Sequence, residues 1–85
     1  MNKYEIDRIE TLKAAAEGRR SGVMNYQINI DNFRLAIVKI EAEHAGNPAM
    51  ADFAEHLRGL LASSETEQLK ERIMLEVIEQ QLEGL

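Results

Sequence analysis

Glu41 and His44 are three residues apart and Asp52 and His56 four apart, spacings that put a carboxylate and an imidazole on one helix face, where they could share a metal ion. A dimetal site in a helical bundle needs two matched pairs and two further inward glutamates, and the chain does not supply that set. The plainer reading is that His44 ends an apolar face beside a helix C-terminus, where positive charge is welcome, and that Asp52 and His56 form a surface pair. No metal and no cofactor are expected. Ser21, Ser63 and Ser64 stand where turns and helix caps use a hydroxyl, and none lies in a glycine-flanked elbow. Glu65 with Glu67, and Glu76 with Glu79, fall at a helix start and on a solvated face, away from any apolar pocket that would raise a carboxyl pKa. The five glycines never cluster into a phosphate-cradling loop, and the lack of cysteine removes thiolate ligands and thiol nucleophiles together. No catalytic residue is assigned, and an enzyme is not expected.

The elements that would have to position such residues read as four helices. Asn2 with Glu5 three residues later forms a capping box that opens a helix over 2–17, with Ile6, Ile9, Leu12 and Ala16 at helical spacing. Gly18 and Gly22 bracket Arg19 and Arg20 in what reads as a break, because glycine takes the left-handed conformation at no steric cost. The next segment, 23–45, has the most sustained pattern: Tyr26, Ile30, Phe33, Ile37, Ile40 and His44 recur at alternating steps of four and three, a stripe that wants a partner helix. Gly46, Asn47 and Pro48 then give a glycine stop, an Asn cap and a proline at the first helical position. Met50, Phe53, Leu57, Leu60 and Leu61 carry a third helix over 48–62, and Ser64 with Glu67 reads as a second capping box opening a fourth over 65–83. Short connections favour antiparallel neighbours, so the expected fold class is all-α, a four-helix antiparallel bundle in one domain spanning 1–85.

Eighty-five residues of which 45% are hydrophobic and only 5% aromatic give a thin core built from Ile, Leu, Val, Met and Ala. The fourth helix has two adjoining apolar stripes, Leu69, Ile73 and Val77 on one and Leu75, Ile78, Leu82 and Leu85 on the other, more than a single contact in a small monomer consumes. We therefore expect a homodimer, with Tyr26, Phe33, Ile37, Leu75, Ile78 and Leu82 as interface candidates. The formal charge of −5 opposes phosphate neutralisation and approach to an anionic membrane surface. The acidity concentrates after Ser63, where Glu67, Glu71, Glu76 and Glu79 form a candidate acidic face for a basic protein surface. No apolar run reaches the roughly 20 residues that span a bilayer. These features point to a cytoplasmic, non-catalytic regulator or inhibitor that acts by binding a protein partner.

One stretch supports a second reading. Tyr26, Ile28 and Ile30 alternate with Gln27, Asn29 and Asp31 in the two-residue period of a half-buried strand, which would have to pair with a second copy. A strand at 24–30 followed by two helices resembles the ribbon-helix-helix repressors in element order, which implies a dimeric DNA-binding regulator whose paired strands enter the major groove. Asn25, Gln27 and Asn29 would be its outward polar residues, with Arg19 and Arg20 on the approach. The preceding helix, the lack of a basic residue in the strand and the acidic total depart from that family and weaken its phosphate contacts.

Overall fold

The structure, a computed structural model describing residues 1–85, contains two helices, α1 over Lys3–Glu43 and α2 over Pro48–Glu83, folded into an antiparallel hairpin. The turn between them follows from its residues. Gly46 has φ +88°, the one positive φ in the chain, and no β-carbon has to be accommodated there. Asn47 then caps α2, its side-chain oxygen accepting from the Ala49 and Met50 N–H groups at 3.0 and 3.3 Å, and Pro48 occupies the first turn, where no N–H is required. At the other end Asn2 caps α1 by accepting from the Glu5 N–H at 2.9 Å. The molecule measures 66 × 15 × 14 Å, close to the roughly 61 Å that 41 helical residues span at 1.5 Å each.

The all-α class stands, but the expected four helices are two. The break at Gly18–Gly22 and the one at Ser63–Ser64 are both continuous helix, and residues 24–30 lie inside α1 with no strand anywhere in the chain. The ribbon-helix-helix arrangement therefore has no strand to build on. A glycine in a helix interior costs only about 1 kcal/mol relative to alanine, and serine less, whereas ending a helix there would interrupt its packing along the neighbour. Neither site contains a proline, and neither has the positive φ that a glycine stop needs. At the second site Thr66 Oγ1 donates back to the Ala62 carbonyl at 3.1 Å, a side-chain bond that lets a hydroxyl residue sit inside a helix.

Packing along the neighbour follows one repeat. In α1 every residue of the series Ile9, Leu12, Ala16, Arg19, Val23 and Tyr26, continuing through Ile30, Phe33, Ile37 and Ile40, is buried or half-buried, with steps alternating three and four. The same holds in α2 for Met50, Ala54, Leu57, Leu61, Ser64 and Gln68, continuing through Glu71, Leu75, Ile78 and Leu82. This is the a/d seam of a two-stranded antiparallel coiled coil, with a 3.5-residue period that implies left-handed supercoiling. Its thickest apolar part lies beside the turn, where Ile37, Ile40, Ala54 and Leu57 pack together under Phe33, Ala36, Met50 and Leu61. Ile30 at mid-rod is 2% exposed, and Ala16 and Ile78 close the far end.

The turn depends on one backbone conformation, which gives a direct test. Gly46→Ala should lower stability by about 1–2 kcal/mol, the cost of placing a β-carbon in the left-handed region, while leaving helix content unchanged. Thermal unfolding followed by circular dichroism reads this as a lowered midpoint.

Candidate interaction site

Two flanks run beside the seam, and their chemistry differs. Along one, cross-helix ion pairs recur at intervals of seven or fourteen residues: Arg20 with Glu79 at 3.8 Å, Arg34 with Glu65 at 3.3 Å, and Glu41 with Arg58. These are the e positions of both helices, which face each other across an antiparallel seam. Arg58 is held above its ordinary pKa mainly by its hydrogen bond to Glu41 and secondarily by that to Glu55. All of these side chains are substantially exposed, so solvent screens each pair and it acts chiefly to fix alignment. The missing rung is Gln27 opposite Arg72, and both line a shallow groove there with Arg34, Glu65 and Gln68.

Along the opposite flank, the g positions of α1 are Arg8, Ala15, Gly22, Asn29, Ala36 and Glu43, and those of α2 are Phe53, Leu60, Glu67, Met74 and Gln81. Arg8 and Glu43 stand at its two ends, Glu43 pairing with Lys39 at 2.9 Å, and between them the only charge is Glu67, which accepts from Lys70 at 2.8 Å. That hydrogen bond is the main reason the Lys70 ammonium is held above its usual pKa. Phe53, Leu60 and Met74 are 46, 38 and 41% exposed. One side of the rod is thus a continuous ladder of paired charges, and the other has fewer charges and is partly apolar.

The centre of the seam is polar. Arg19 Nη1 donates to both carboxylate oxygens of Glu71 at 3.2 and 3.3 Å, and the Glu71 side chain lies against Gly22, where an added β-carbon would come within 3.1 Å of its carboxyl group. Gln68, 9% exposed, donates to the Val23 carbonyl at 3.1 Å and to Gln27 Oε1 at 2.9 Å. Gly22, the far end of the stretch that reads as a break, therefore makes room for a buttressed ion pair between helices. The signal for this layer is in the sequence, because Arg19, Ser64, Gln68 and Glu71 keep the seven-residue phase of the apolar residues on either side.

The interface candidates Tyr26, Phe33, Ile37, Leu75, Ile78 and Leu82 all lie on the a/d seam, where the opposite helix of the same chain covers them. Three of the four acidic-face residues are engaged within the chain: Glu67 by Lys70, Glu71 by Arg19 and Glu79 by Arg20. Glu76 is exposed and makes no ion pair. Glu41 is bound to Arg58, while His44, Asp52 and His56 are exposed, and no three His, Asp or Glu side chains converge to hold a metal.

What remains open is apolar and faces outward. On the side of α1 turned from the seam, Met24, Ile28, Leu35 and Val38 are 61, 52, 67 and 61% exposed. Leu69, Ile73 and Val77 form the corresponding stripe on α2 and are also exposed. Their periodicity separates cleanly from that of Leu75, Ile78 and Leu82, so the two stripes read on this segment face opposite ways. No helix is long and apolar enough to cross a membrane. Comparison with protein-family models, with curated proteins and with solved structures gives no match.

The polar layer generates a prediction of unusual sign. Gln68→Leu should raise stability by about 1 kcal/mol, since apolar burial replaces a desolvated amide while the Val23 carbonyl keeps its helical bond. The melting midpoint should rise by roughly 4–8 °C in a domain of this size. A fall would mean that the two amide bonds outweigh leucine burial.

Proposed function

We propose that the protein is a small non-catalytic protein-interaction module, working as a homodimer of helical hairpins whose remaining outer apolar face binds a protein partner and alters that partner's activity or assembly. One observation carries this reading: the seam inside the chain is complete, yet fourteen large apolar residues stay exposed. The chain exposes 6107 Å², whereas a monomeric globular protein of this mass exposes about 5,100 Å². Its radius of gyration is 19.2 Å against the roughly 12 Å of a compact domain of equal length. The surplus, on the order of 1,000 Å² per chain, is comparable to the roughly 800 Å² that each partner gives up in a standard stable interface. Exposed apolar surface beyond the usual patch of a few hundred Å² marks association sites on proteins.

An acidic face acting by charge mimicry receives less support, because three of its four glutamates already have intramolecular partners. The outer stripe of α1 offers the more direct surface, with four large side chains spread over four helical turns.

Light scattering across a concentration series tests the assembly. We expect about twice the 9.6 kDa chain mass, constant through the micromolar range. A mass of one chain at every concentration overturns the dimer and leaves all the outer apolar surface to other partners.

A further inference from the structure

We infer that the second copy packs on the less charged flank of Phe53, Leu60 and Met74, with the two hairpins antiparallel so that their turns lie at opposite ends of a four-helix bundle. This rests on the proposed dimer and adds its face and orientation. A helix in a four-helix bundle has neighbours on two sides, so its apolar surface widens from a and d to include one adjoining position. Here the widening is one-sided and consistent between helices: the e flank is a ladder of charges already paired within the chain, and the g flank has charge only at Glu67 and at its ends, Arg8 and Glu43. Packing through the e flank would desolvate three ion pairs that cross between the helices, whereas the g flank brings three large apolar side chains and asks for burial of Glu67 with Lys70, its other charges, Arg8 and the pair of Lys39 with Glu43, lying at its two ends.

Size agrees as well. One face of a rod 66 Å long and 15 Å wide presents roughly 1,000 Å², which meets the requirement of a stable dimer only if the copies lie side by side along most of their length.

Orientation follows from the distribution of bulk. Two of the three large g residues, Phe53 and Leu60, lie toward the turn, whereas the open half of the same flank has Met74 together with Ala15 and Gly22, and Gly18 at its edge. A β-carbon at Gly18 would meet nothing within 4 Å, so no contact inside the hairpin requires a glycine there. Antiparallel packing lays the bulky half of each copy toward the small-residue half of the other, and helices approach more closely where the contacting side chains are small. Parallel packing would set Phe53 and Leu60 of the two copies against each other at one end and leave the glycine-containing half to face its own copy.

The outer stripe of α1 is excluded as the self-association face by Asp31, which sits between Ile28 and Leu35 on that stripe. A two-fold axis that pairs Met24 and Ile28 with Val38 and Leu35 of a second copy brings the two Asp31 carboxylates together, a like-charge contact. A partner with a basic residue at that level meets no such penalty, so the stripe is left for a protein other than this one.

The test compares single-charge variants at exposed positions, Leu60→Arg on the g flank and Leu35→Arg on the outer stripe, by light scattering, with circular dichroism checking that the hairpin is intact. Leu60→Arg should weaken the dimer at least about 30-fold, because each interface contains the change twice, and Leu35→Arg should leave it unchanged. A wild-type monomer overturns the dimer and this placement together. A wild-type dimer that Leu35→Arg dissociates and Leu60→Arg does not overturns the placement alone. Because the chain has no cysteine, single-cysteine variants read the orientation: Asn25→Cys, at mid-rod, should form an intermolecular disulfide on oxidation, and His56→Cys, near the turn, should not. Efficient crosslinking through His56→Cys overturns the antiparallel arrangement.

Discussion

A seven-residue repeat held in phase through both helices is the constraint from which the rest of the structure follows. In a helix of 3.6 residues per turn each residue advances the face by 100°, so one insertion or deletion would swing everything beyond it off the seam. No such slip occurs across the ten seam positions of α1 or the ten of α2. Continuity explains why local breakers yield. Gly18 and Gly22 each weaken α1 by about 1 kcal/mol in intrinsic preference, but a helix that stopped there would forfeit the layers from Ile9 to Ala16 against Leu75, Ile78 and Leu82.

The seam is apolar near the turn and polar at its middle, and the two parts do different work. Ile37, Ile40, Ala54 and Leu57 provide much of the apolar burial. Arg19 with Glu71, and Gln68 with Val23 and Gln27, add little net stability because desolvation offsets much of what their bonds return. They set register instead: Glu71 fits only where Gly22 leaves space, and Gln68 only where a second amide faces it. The e-flank ion pairs repeat the same alignment on the surface.

A two-helix rod has a high ratio of surface to volume, and that ratio shapes the functional reading. Only eight residues are buried, so the fold stands close to the size at which small domains need a further source of stability. The proposed association would supply it without new secondary structure, through the flank that has fewer charges. The concentration of paired charges on the other flank keeps that side solvated and limits packing there.

The sequence by itself determined the helical class, the cap at Asn2, the turn at Gly46, Asn47 and Pro48, and the stripe from Tyr26 to Ile40, because each depends on residues close together in the chain. It also held the separation of Leu69, Ile73 and Val77 from Leu75, Ile78 and Leu82, which is fixed by helical periodicity alone. The number of helices was decided by the tertiary structure: glycine and serine have a stop signature and a tolerable interior cost, and the balance turns on what lies opposite. Only the fold brings Glu71 to Gly22, or shows that Tyr26 and Leu75 close a seam within the chain rather than between chains. The alternation at 24–30 fits a strand as well as a helix until α2 is seen to cover Tyr26 and Ile30. A short pattern records which side chains are apolar, and the partner that buries them is set by contacts some forty residues away.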